Sequence, residues 1–183
     1  MDLLDFSDCK LYFEEPLPAE VECLIAQAAH EYAEGSAEAA LLRARRLAPE
    51  SLSVVVGLYR YYFYQNRMDD ALQLAERAMQ LSARQLGLPA NWRRLDESAL
   101  GAAAVISFGL LRFYLLAFKA SSIVLLRLGQ VADSRTRLTK LAALDTRDQL
   151  GAAKLLELVD EFQSPRGRSD VAAPHSELDL AVA

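Results

Sequence analysis

Residues 54–83, VVVGLYRYYFYQNRMDDALQLAERAMQLSA, decide how the chain is read. The first eleven residues are apolar or aromatic at nearly every position, with Gly57 and Arg60 as the exceptions. Gln65-Asn66-Arg67 is a polar corner, and Asn tolerates the left-handed backbone that ends a helix. After it, Asp69 and Asp70 complement the positive end of a second helix. Ala71, Ala75 and Ala78 then recur at helical spacing and let that helix approach the first closely. The stretch is a helix pair closed by a tight corner.

The corner recurs. Gly35 is followed by Glu38, Ala39, Ala40 and Ala44, and Gly129 by Asp133, Ser134, Leu138 and Leu141. The corners at 35, 66 and 129 are 31 and 63 residues apart, so the second interval is about twice the first. The reading outward gives helices over 19–34, 37–47, 52–65, 69–86, 97–128, 131–144 and 149–162. Pro49, Gly87-Leu88-Pro89 and Gly129 punctuate them. Residues 1–18, with Pro16 and Pro18, form an acidic arm; 19–162 form one helical domain ending in a capping helix; 163–183 have no periodicity and read as a disordered tail. The fold class is all-α, an antiparallel array of helix-turn-helix repeats.

Bulk properties exclude several classes. The 183 residues are 52% hydrophobic, enough for a substantial core. Cys9 and Cys23 make neither a disulfide framework nor a metal spacing, and the acidic start lacks a secretory signal, so a cytoplasmic location is expected. His30 and His175 stand apart; no phosphate-binding glycine loop, nucleophile elbow or paired-cysteine motif occurs. No enzyme activity, cofactor or metal is expected. The net charge of −5 conceals nine acids and one base in 1–34, against nine arginines and five acids in 35–95. That basic segment is not clustered as in a dedicated phosphate binder, so nucleic acid is not an expected partner.

Residues 99–118 have the length of a membrane span, but Arg112 lies inside, where a charge costs about 2.5–3.5 kcal/mol on insertion scales. Arg112, Lys119 and Arg127 follow one helical face, as on the central helix of a layered bundle. The segment 97–128 reads as buried core rather than a span, with a bend near Gly109 or Ser121-Ser122. Trp92, in the loop before it, reads either as a plug over this apolar helix or as an exposed anchor.

The pattern resembles the tetratricopeptide repeat, with Leu58 and Tyr62 on the first helix and Ala71 and Ala78 on the second. It departs at Tyr59, where that family prefers glycine, lacks the usual tryptophan, and has Ser134 for alanine in the third copy. The resemblance implies a non-catalytic protein-binding adaptor or assembly factor whose first helices line a concave face. By position, Val56, Arg60, Phe63 and Tyr64 stand there from the middle copy and Leu116, Lys119, Ile123 and Arg127 from the third. Such a face suits an acidic or amphipathic segment of another protein, and the chain's own acidic arm is a second occupant. The phrases LYRYYFYQNRMDDALQLAERA and LGLPANWR also resemble small tetratricopeptide-type proteins encoded among nitrogen-fixation genes. That likeness implies an accessory factor binding nitrogenase component protein during maturation. The alternative is a dimeric regulatory or signalling module that uses the array for self-association.

Overall fold

A computed structural model describes residues 16–31 and 36–163. The expected arm (apart from residues 16–18), the Gly35 corner and the tail beyond Gln163 lie outside the described residues. Eight α-helices and no strands occur among those described: α1 (Ala19–His30), α2 (Ala37–Leu47), α3 (Leu52–Tyr64), α4 (Met68–Leu86), α5 (Glu97–Ile106), α6 (Phe108–Arg127), α7 (Val131–Leu144) and α8 (Ala152–Gln163). A short 3-10 turn over Trp92–Arg94 precedes α5.

The corners form as the residue types dictate. Asn66 takes φ 59, and the Arg67 amide donates to Tyr62 O at 2.9 Å while the Asn66 amide donates to Phe63 O at 3.1 Å. This six-to-one closure satisfies carbonyls the end of α3 would otherwise orphan. Gly129, at φ 73, repeats it after α6: Gln130 N donates to Leu125 O at 2.9 Å and Gly129 N to Leu126 O at 3.0 Å. Asp96 starts α5 by accepting the Ala99 amide at 2.8 Å, and Ser51 starts α3 in the same manner.

Successive helices pack side by side, α1 on α2, α2 on α3, α3 on α4, α6 on α7 and α7 on α8; α4 meets α6 directly, while α5 touches mainly α6. The array therefore runs past α5 without including it. Small residues set the spacing. Ala71, Ala75 and Ala78 on α4 are buried, and a Cβ on Gly57 would lie 3.1 Å from Leu41 Cδ2, which fixes the approach of α2 to α3. Leu58, Leu81, Phe118, Val124, Leu138 and Leu141 fill the interior between layers.

The region 97–128 breaks beside Gly109, the first of its two expected bend sites, and not at Ser121-Ser122. It is two helices, and the break falls at Ser107, whose backbone is extended (φ −161, ψ 109) and whose hydroxyl accepts the Leu110 amide at 3.2 Å. Ser121 and Ser122 stay helical because their hydroxyls donate back to Phe118 O at 2.7 and 3.0 Å. The break divides the 99–118 window. Among the described residues α6 is long and apolar enough to cross a membrane, with mean hydropathy 1.6, yet 61% of its window is buried in the protein. The corner beside it is different: Val105, Ile106 and Phe108 are 88%, 61% and 68% exposed.

Candidate protein-binding face

Helices α1, α3 and α6 border two openings. Between α3 and α6, Val55, Val56 and Tyr59 face Phe113, Leu116 and Ala117 over a gap of only about 30 Å³. That seam is narrow and apolar. Between α1 and α3 a crevice of about 450 Å³ opens over Leu41 and Gly57, with Ile25, Ala28 and Ala29 on one wall and Arg60, Tyr61 and Tyr64 on the other. Helical spacing explains the second wall: residues 57, 60, 61 and 64 stand one turn apart along one stripe of α3. Arg60 is half-buried and Tyr64 is 52% exposed.

The eight residues read from the sequence thus divide. Val56 and Leu116 line the narrow seam, where Leu116 is half-buried. Phe63 is buried, with its ring centroid 5.2 Å from the Arg127 guanidinium carbon, and Arg127 Nη2 donates to Asn66 Oδ1 at 3.2 Å. Arg127 therefore ties the end of α6 to the α3–α4 corner. Arg60 and Tyr64 share the open crevice, and Ile123 is half-buried on α6.

Lys119 turns elsewhere. Its ammonium donates to Leu150 O in the α7–α8 connection and is half-buried there. Burial pushes its pKa down, and the nearby Asp148 and Asp145 carboxylates oppose that shift. Asp145 holds the connection by accepting the Gln149 and Leu150 amides at 3.0 and 2.7 Å. The geometry gives Lys119 a fastening task for α8.

Two further clusters escaped the sequence reading. Arg67 bridges Glu38 at 2.7 Å and Asp70 at 2.8 Å and lies 4.3 Å over the Tyr62 ring, while the Tyr62 hydroxyl donates to the same Glu38 at 2.9 Å. Burial, then this hydrogen bond, pushes the Tyr62 pKa up to about 12. On the far side of α6, Arg137 pairs with Glu76 at 2.5 Å and donates to Ser121 Oγ at 2.9 Å. Trp92 packs there against Phe118, ring centroids 5.1 Å apart, as the plug its position suggested. Burial also lifts Tyr114, which lines the adjoining pocket, to about 12. Arg67–Asp70 is a local pair, but Arg67–Glu38 and Arg137–Glu76 join residues 29 and 61 apart, beyond any local pattern.

Among the described residues no three His, Cys, Asp or Glu side chains converge to hold a metal ion. The crevice offers an apolar floor, two phenols and a guanidinium.

No family model matches the chain, and no solved structure matches it. It is 48% identical over 164 residues to a protein of Azotobacter chroococcum mcd 1 described as an uncharacterized 19.8 kDa protein in the nifW 5′ region. The alignment covers 90% of this chain and 92% of that relative. That relative is encoded in a nitrogen-fixation gene neighbourhood. Identity at that level over nearly the whole of both chains shows common descent and a common fold, so the chain belongs to the family of this nifW-linked protein.

Proposed function

We propose that the protein is a non-catalytic cytoplasmic assembly factor of tetratricopeptide type that binds a nitrogenase component protein during its maturation. The observation that carries the reading is the nif-linked relative, 48% identical over nearly its full length. The side-by-side packing of successive antiparallel helices supports the repeat reading, since such arrays stack helix pairs in sequence order. The α1–α3 crevice supports the binding role. Tyr64 offers contact area at little entropic cost and Arg60 offers paired hydrogen bonds to a carboxylate.

The test is affinity capture from cells growing on dinitrogen, comparing the tagged protein with an Arg60→Glu/Tyr64→Ala variant. Wild type is expected to retain nitrogenase component polypeptides, and the variant to bind them about thirtyfold more weakly, as for loss of one contact hot spot of about 2 kcal/mol. Arg60 is half-buried and Tyr64 stacks edge-on against Phe63, so the melting midpoint is measured beside the capture, and a loss counts only where the variant melts within a few degrees of wild type. Equal recovery would remove the crevice from the account.

A second reading, the dimeric regulatory module, rests on the exposed corner of Val105, Ile106 and Phe108. A two-fold axis through it would cover this apolar surface with its own copy. Light scattering at micromolar concentration is then expected to give twice the chain mass, with Phe108→Asp returning it to the monomer. A monomeric wild type sinks this reading.

A further inference from the structure

The α1–α3 crevice has a candidate occupant within the same chain. We propose that residues 1–15, MDLLDFSDCKLYFEE, seat in this crevice and compete there with the partner protein. Charge is the first argument. The segment has five carboxylates (Asp2, Asp5, Asp8, Glu14 and Glu15) and one Lys, so it is acidic where the crevice wall is basic. Arg60 is the charged side chain among those lining the crevice. Apolar match is the second. Leu3, Leu4, Phe6, Leu11, Tyr12 and Phe13 interleave with the acids, and Ile25, Ala28, Ala29 and Leu41 supply the apolar walls and floor.

Reach is the third. The described chain begins at Pro16, three residues before α1. The crevice residues of α1 lie within roughly 15 Å of its start at 1.5 Å per residue. Fifteen extended residues span about 50 Å, so the segment can turn back along α1 and run the length of the crevice. A short tether also holds it at a local concentration on the order of millimolar. A free peptide of equal affinity cannot match that, so a partner must bind more tightly or approach over a larger area. The competition with a partner rests on the proposed function, but the seating of the segment does not.

The experiment uses the full chain. Cys9 and Cys23 are its two cysteines, so Cys23→Ser leaves Cys9 as the single attachment point for a nitroxide spin label. Amide resonances of Ala28, Ala29, Gly57 and Tyr64 are expected to broaden, to recover when the label is reduced, and to lose most of the broadening in an added Arg60→Glu change. A mixture of isotope-labelled chains without nitroxide and unlabelled chains carrying it should show no such broadening. Broadening confined to other surfaces, or none, overturns the proposal. Broadening in the mixed sample also overturns it, in favour of a second copy in the crevice. The affinity capture above reads the partner independently, so loss of one result leaves the other standing.

Discussion

Phe118→Ala is expected to destabilise the protein by about 3–5 kcal/mol, the range for emptying a large aromatic site in a core. The side chain is fully buried on α6, between Trp92 at 5.1 Å and Tyr114 at 6.4 Å by ring centroids. Neither ring can follow the void easily. Tyr114 is itself 2% exposed, and the Trp92 ring is held from outside by the Arg93 guanidinium at 4.3 Å. A loss of that size should lower the melting midpoint on the order of 10–15 °C. Trp92 is the sole tryptophan, so its emission gives a local reading, and a red shift in the folded variant is expected. A midpoint within a few degrees of wild type would mean that α6 is not the centre of the array.

Lys119→Glu is the second large effect. The change removes the ammonium hydrogen bond to Leu150 O and sets a carboxylate beside that carbonyl, with Asp145 and Asp148 close by. Losing a charged hydrogen bond costs about 1.5–3 kcal/mol, and the new repulsion adds to it. The damage should be local first. Hydrogen exchange is expected to accelerate in α8 before α3 and α4, because the α7–α8 connection is what Lys119 fastens. Lys119→Met, which keeps the stem without the charge, should lose less. Uniform acceleration through all helices, or no change in α8, would contradict this role. For the same reason Lys119 is a poor choice for probing partner contact, since a weakened capture would report on the fold.

The corners at Asn66 and Gly129 were legible because one residue type answers one backbone requirement, a left-handed φ at the end of a helix. The alanines of α4 were legible because close helix approach demands small side chains at helical spacing. The doubled interval between the corners at 66 and 129 now has its cause: α5 and the turn before it are inserted between α4 and α6, which meet as if adjacent. Ser107 was not legible as the break. Gly109, two residues on, marked the neighbourhood of the break, but Ser121-Ser122 was the equal alternative; only which hydroxyl caps and which bonds back to Phe118 O separates them. The candidate face was half legible. Stripe geometry on α3 groups Arg60 and Tyr64, but the partners of Lys119 and Arg127, 31 and 61 residues away, depend on how the loops return.

The most direct test of the central claim is site-specific photocrosslinking in nitrogen-fixing cells. A benzophenone-bearing phenylalanine replaces Tyr64 in the crevice and, as a control, Thr136 on the exposed side of α7. An adduct with a nitrogenase component polypeptide is expected from position 64 and none from position 136. An adduct from position 136 alone, or none from position 64 in cells that fix nitrogen normally, would contradict it.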